Sequence, residues 1–271
     1  MAVIGSPPGA FPQLTITSSM TWVPPQDGTV CIHVVGAGGS GYGGSSPMFG
    51  GGAGAYAKIP SLDVTTSGSF TLVVGVGGTS VRNATNGVAG GNSTIAGTGL
   101  TGTKTCGGGG GGASGNAAGG TVSGSGEGWA GYSGGGGRYG GGAVGVYATG
   151  ALGGTTLDNG DCTGGMSDAA GGGLAMSQFG VICGGNTRSM TNNWGAYSQS
   201  LPTGRTMQQA GDLCGGGITY ITQLGRWTRG GNGGIGGGGG GAVSATGNSG
   251  AAYAISGMGG DGIILIQYIP W

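Results

Sequence analysis

Residues 36–41, Gly-Ala-Gly-Gly-Ser-Gly, place a G-x-G-x-x-G spacing directly after the apolar run His33-Val34-Val35, and Asp63 follows about twenty residues later. In a dinucleotide site those glycines let the backbone approach a pyrophosphate at the N-terminus of the next helix. The residues after Gly41, YGGSSPMFGGGAGAYAKIP, show no 3.6-residue apolar period and include Pro47. No helix is predicted there. The same strand-then-glycine pattern recurs in SFTLVVGVGG at 69–78, which a single cofactor fingerprint does not explain.

Other residues with chemical potential lead to similarly plain readings. His33, the one histidine, sits inside an apolar segment and reads as a hydrogen-bonded core residue. Glu127 is the one glutamate and is flanked by Gly126 and Gly128, so no pair of glutamates is available for glycoside hydrolysis. Asp158 and Asp161, in LDNGDC, lack the later ligands of a calcium loop and read as turn residues. GLTGTKT at 99–105 has no Gly-Lys pair and fails as a phosphate loop. Cys31, Cys106, Cys162, Cys183 and Cys214 are odd in number and contain no C-x-x-C pair, so they read as small buried residues or unpaired thiols. The chain is expected to be no enzyme and to need no cofactor or metal.

The aromatic residues point elsewhere. Trp129, Tyr132, Tyr139, Trp194, Tyr197, Tyr220 and Trp227 are scattered through glycine-rich or loop sequence, with arginine beside some of them, as in Arg138-Tyr139 and Arg226-Trp227-Thr228-Arg229. Exposed Trp, Tyr and Arg on a rigid frame suit binding of sugar or protein. The expected contact residues are Trp129, Tyr132, Tyr139, Trp194, Tyr197, Arg226, Trp227 and Arg229. The alternative for each ring is packing between subunits or against the glycine segments.

What positions them is set by composition. Glycine accounts for 79 of 271 residues, against a usual level of about 7 per cent. With nine prolines and glycine in blocks such as 107–112 and 236–241, a collagen repeat is excluded. Eight basic and eight acidic residues leave no broad positive field, so neither nucleic acid nor anionic lipid is an expected partner. The start has no basic, apolar leader pattern and the longest apolar run, GIILIQYI at 262–269, is too short for a helical span, so a soluble product of a cytosol without membrane insertion is expected.

Strands are predicted in QLTITSSMTWV, TVCIHVV and SFTLVVGV, more weakly at GAYAKIP (54–60) and STIAG (93–97), and in GIILIQYI, which must pair with a distant partner. In TVCIHVV, Val30, Ile32 and Val34 face one way and Cys31, His33 and Val35 the other, a pattern for a strand buried on both faces. The glycine blocks need compensation for their backbone entropy. Extended polyproline II helices of three residues per turn, packed side by side and cross-bonded, provide it, because glycine alone lets backbones approach so closely. Residues 155–229 read mainly as long loops, with a short strand possible at GITYITQL. The whole chain, 1–271, is expected to form one domain, with sandwich strands at about 13–97 and 262–269 and glycine helices and loops over about 98–261.

The order Trp22-Val23-Pro24 with Asp27-Gly28, then VVGAGGSGYGG, GGGAGAYAKIPSL, FTLVVGVGGTS, glycine blocks and a terminal GGDGIILIQY resembles the glycine-rich domain of bacteriophage tail fibre and other virion proteins, and more distantly that of anaplastic lymphoma kinase receptors. The similarity covers about 13–125 and 230–269. It implies an all-β fold, a jelly-roll-like β-sandwich with enlarged glycine-helix loops, in a homotrimeric fibre, tip or spike. Glycine helices presenting aromatic loops to the host also occur in adhesins of T-even long tail fibres. The expected function is therefore that of a virion structural protein, made in the host cytoplasm, acting as a tail fibre tip or adhesin. Its partners would be other virion proteins and a host surface glycan or outer-membrane protein. The alternative is an architectural role in capsid decoration, a head fibre or the tail.

Overall fold

The computed structural model describes residues 13–44, 49–82, 86–113, 115–137, 140–146, 149–150, 153, 215, 219–221, 227–244 and 253–269. These residues form strands and extended segments and no helix. The strands are, in chain order, β1 (Gln13–Ile16), β2 (Met20–Trp22), β3 (Gly28–Val35), β4 (Gly43–Gly44), β5 (Tyr56–Val64), β6 (Phe70–Val73), β7 (Ser93–Gly97), β8 (Lys104–Cys106), β9 (Val122–Ser123), β10 (Ala130–Tyr132), β11 (Thr219–Ile221), β12 (Trp227–Arg229), β13 (Ala242–Ser244), β14 (Tyr253–Ile255) and β15 (Ile263–Tyr268).

Two antiparallel sheets of five strands, ordered β1-β15-β3-β5-β10 and β2-β6-β7-β8-β9, make a β-sandwich. Alternation along β3 sends Val30, Ile32 and Val34 into the inter-sheet core, where they join Ile59, Ile264 and Ile266 of their own sheet and Trp22, Phe70, Leu72 and Ile95 of the other. Each such fully buried side chain contributes about 1.5–3 kcal/mol relative to exposure. The Trp22 and Phe70 rings lie 5.2 Å apart between centroids. Val35, on the opposite face of β3, joins a second cluster with Tyr56, Leu265, Val144 and Val146. β3 is thus covered on both sides, as its two apolar faces require.

The last strand, β15, lies between β1 and β3, with Ile264 opposite Val34 and Ile266 opposite Ile32. It is the distant partner its sequence demands. The segment QLTITSSMTWV divides instead of forming one strand: β1 pairs with β15 while β2 pairs with β6 in the other sheet. Ser19 marks the crossing, its Oγ accepting the Val74 N–H at 3.0 Å. Across β3 and β5, Val30 opposes Leu62 but Ile32 opposes Ile59. The extra residue on β5 falls at Pro60-Ser61, where a bulge accommodates a residue with no N–H to give.

Beyond Val35 the chain leaves the sheet and becomes the centre of a bundle of glycine segments. Its N–H partners recur every three residues. Gly36 and Gly39 donate to Ala55 and Gly52, Ala37 and Ser40 to Gly91 and Val88, and Gly38 and Gly41 to Gly260 and Gly257. Three different neighbouring segments are bonded in rotation, and three more donate to its carbonyls: Gly109 to Ala37, Gly78 to Gly38 and Gly239 to Gly39. Residues 36–44 are buried throughout. The backbone satisfies its polar groups here without helix or pleated sheet.

Close approach explains the glycines. A Cβ on Gly38 would lie 1.9 Å from the Gly237 carbonyl oxygen, and one on Gly41 would lie 2.2 Å from that of Gly240. Within 36–41 two positions carry a side chain, Ala37 and Ser40, the latter accepting the Val88 N–H on its Oγ at 2.8 Å. The second exit, after β6, is pinned in the same manner: Gly75 donates to Ser93 Oγ, and Gly77 to Asp261 Oδ1 at 2.7 Å.

Candidate binding end of the glycine bundle

The G-x-G-x-x-G residues hold no phosphate cradle, because each N–H from Gly36 to Gly41 already donates to a carbonyl of the protein. Asp63 Oδ1 accepts the Thr29 hydroxyl at 2.7 Å across the β3–β5 pair. His33 is buried, with Nδ1 2.9 Å from the Tyr56 hydroxyl and Nε2 3.4 Å from Cys31 Sγ. Burial, reinforced by the nearby Lys58 charge, pushes its pKa down to about 4. Burial also raises the thiols of Cys31 and Cys106, which are both unpaired, away from reactive thiolate character.

The most enclosed charge is Lys104, on β8 and fully buried. Its ammonium lies 2.6 Å from Glu127 Oε2 and donates to the carbonyls of Thr101, at 3.0 Å, and Ser125. Glu127 Oε1 accepts from both the backbone N–H and the hydroxyl of Thr101. Glu127 has a left-handed φ of 50° between Gly126 and Gly128, which are also left-handed, a conformation a non-glycine residue adopts only when held. Hydrogen bonding to Lys104, then to Thr101, lowers the Glu127 pKa to about 2. A carboxylate so held serves as a strut for this loop. Because its pKa falls from an ordinary 4.5, the stability it adds is complete above that value and is lost as pH falls toward about 2. In thermal melts, wild type is expected to exceed Glu127→Gln at neutral pH, with the gap closing across that acid window.

The bundle has two ends. At the sandwich end, segments leave and enter the sheets at Val35, Tyr56, Cys106, Val122 and Ile263. At the far end, Tyr42 N–H meets the Phe49 carbonyl, Gly87 N–H meets Gly112, Ser256 N–H meets Val81, and Ala117 bridges Gly137. Two small parallel sheets, β11-β13-β4 and β12-β14, also lie at this end. Residues 45–48, 83–85, 114, 138–139, 222–226 and 245–252 connect described residues that stand there. Gly153 is bonded to Gly136, and Gly215 lies against Gly141.

Trp227 and Arg229 stand on β12 at this far end, paired with Tyr253 and Ile255 of β14. Tyr139, Trp194, Tyr197 and Arg226 lie outside the described residues, as do Arg138, Asp158, Asp161, Cys162, Cys183 and Cys214. Trp129 and Tyr132 are placed otherwise. Trp129 is 9 % exposed within the sandwich core, its indole N–H donating to the Ser123 carbonyl at 3.2 Å. Tyr132, on the edge strand β10, is 41 % exposed at the sandwich.

Arg82 is a residue at the far end that its sequence context does not single out. It forms a bridge with Ile255, whose other neighbour is Arg229. No local pattern joins positions 82, 229 and 255, so only the fold brings them together.

Fold and far end together define an all-β scaffold in which a sandwich supports a bundle of cross-bonded glycine segments. The chain belongs to the glycine-rich domain family, whose family model matches residues 15–269. No curated protein matches the chain.

Proposed function

We propose that this protein is a bacteriophage virion component, a tail fibre tip or adhesin that contacts the host surface through the far end of the glycine bundle. The observation that carries the reading is segregation: the strand bearing Trp227 and Arg229 stands in a small parallel sheet beside the glycine bundle, apart from the two five-stranded sheets of the sandwich. A rigid frame that carries aromatic and arginine positions apart from its core is what recognition of a glycan or an outer-membrane protein needs. On this reading the sandwich is a jelly roll and the glycine segments are polyproline II helices, supported by the three-residue recurrence of their hydrogen-bond partners. The protein acts without catalysis and without a cofactor. Immunogold labelling of intact virions tests the placement, and label confined to tail tips is the expected result.

A homotrimer has a candidate surface on the bundle flank. Val76, Val88 and Met258 are exposed, Val76 at 70 %. Their segments are neighbours, since Gly91 donates to Val76 and Gly259 to Gly78. Burying such side chains between copies stabilises a trimer, and Val76→Glu is expected to shift native mass from trimer to monomer. The same flank also favours a second reading, an architectural protein docked to other virion proteins. Label on the capsid shell supports that reading over the first.

A further inference from the structure

We infer that Asn86 is a site of spontaneous modification, an Asn-Gly pair at which the native protein slowly loses ammonia and gains a carboxylate, while the chemically identical pair Asn232-Gly233 is locked by the fold. The chemistry belongs to the dipeptide itself. The backbone nitrogen of the following glycine attacks the asparagine Cγ, and its proton leaves with the side-chain NH2 as ammonia. Water then opens the cyclic imide, at one carbonyl to give aspartate and at the other to give isoaspartate. Glycine favours the attack because no side chain hinders it. Asn-Gly pairs occur at 86, 159 and 232, and Asn159 lies outside the described residues.

Reaction requires a side chain free to turn its Cγ onto the glycine nitrogen. Asn232 is not free: its Oδ1 accepts the Met258 N–H at 3.0 Å, and Gly233 donates back to the Met258 carbonyl at 2.8 Å. Both reacting groups are thus tied to one residue of a neighbouring segment. Bonds from Gly230 to Ile255 and from Gly240 to Gly231 hold the stretch on either side. Asn86 is exposed, and its side chain has no hydrogen-bond partner among the described residues. The Gly87 N–H is tied, to the Gly112 carbonyl, but this is the first bond of the 86–91 segment, where local opening starts. One bond must open at 86–87 and two at 232–233, a difference of about fivefold in rate.

The position makes the product disruptive. Isoaspartate adds a methylene to the backbone just before Gly87, where even a Cβ would lie 2.2 Å from the Ser40 carbonyl oxygen. The next residue, Val88, accepts the Ser40 N–H on its carbonyl at 2.9 Å and donates to Ser40 Oγ at 2.8 Å. A chain lengthened by one atom cannot keep both contacts in register. No Asp or Glu occurs from 64 to 126, so the new carboxylate is also the first acidic group of that stretch. Conversion is therefore expected to loosen segment 86–91 from 36–44 and 107–112.

Full-length protein kept for weeks at neutral pH in heavy-oxygen water, then mapped by tandem mass spectrometry, tests this. Incorporated label marks deamidation that precedes digestion, and the guanidinium-unfolded chain gives each pair its own intrinsic rate. Folding is expected to slow Asn232 at least about fivefold more than Asn86, with isoaspartate the main product at 86. Melting temperature should fall in step with isoaspartate content, and Asn86→Gln should hold it constant over the same period. Asn86→Asp brings the charge without the extra methylene and should melt close to fresh wild type. Equal protection of the two pairs, faster loss at Asn232, or an unchanged Asn86 after the unfolded chain has reacted fully would overturn the inference. So would a melting temperature that falls as far in aged Asn86→Gln as in aged wild type.

Discussion

Gly38→Ala is expected to unfold the glycine bundle. The added methyl would sit 1.9 Å from the Gly237 carbonyl oxygen and 2.4 Å from its carbon, both backbone atoms of a segment that is itself bonded on several sides. No rotamer relieves a Cβ clash, so segments 36–44 and 236–241 must separate, breaking the bond from Gly239 to Gly39. The cost is about 3 kcal/mol or more, a fall of about 10 °C in melting temperature for a domain of this size. The neighbouring substitution Ala37→Gly removes a methyl that the packing already accommodates and is expected to cost about 1 kcal/mol. Two changes of one methyl, at adjacent positions, therefore differ several-fold in effect, and thermal melts of both variants check it. Equal melting temperatures would remove close backbone packing as the reason for the glycine content.

Mild acid is expected to weaken the sandwich through His33. Its folded pKa of about 4 lies below its ordinary 6.5, burial being the main cause and the Lys58 charge the next. The unfolded chain therefore takes up the proton first as pH falls. Stability from this residue is complete above about 6.5 and is lost progressively toward about 4, amounting to about 3 kcal/mol. Protonation would place a charge 3.4 Å from Cys31 Sγ and against the apolar Val35 and Leu265 face. Urea unfolding of wild type should show this loss across that window, and His33→Gln should flatten it while leaving the lower Glu127 window in place. A wild-type profile flat between those pH values would contradict the assignment.

The pattern in TVCIHVV was legible because alternation over seven residues records both faces of a central strand, and β3 buries both. The same holds for GIILIQYI, whose continuous apolar run demanded a buried place, and for the two glycine exits at Gly36 and Gly75. Strands β8, β9 and β10 were not legible. Each has two or three residues, too few for a period, and exists because neighbouring strands accept its hydrogen bonds. Lys104 within GTKTC gives no hint of burial, since its partner Glu127 lies over twenty residues away in a loop. Trp129 shows how a sound premise misled: a glycine bundle has little apolar interior, but this ring belongs to the sandwich, where there was room. The pairing of β12, which carries Trp227 and Arg229, with β14 depended on which segments turn back together, a property of the packing and not of any local stretch.

Competition for adsorption is the most direct measurement of the receptor-binding account. Host cells preincubated with the purified chain should lose phage adsorption in a saturable manner, and a protein carrying Arg229→Gln and Trp227→Ala should block adsorption far less at the same concentration. Undiminished adsorption at saturating protein, with immunogold label on the capsid shell, would contradict it.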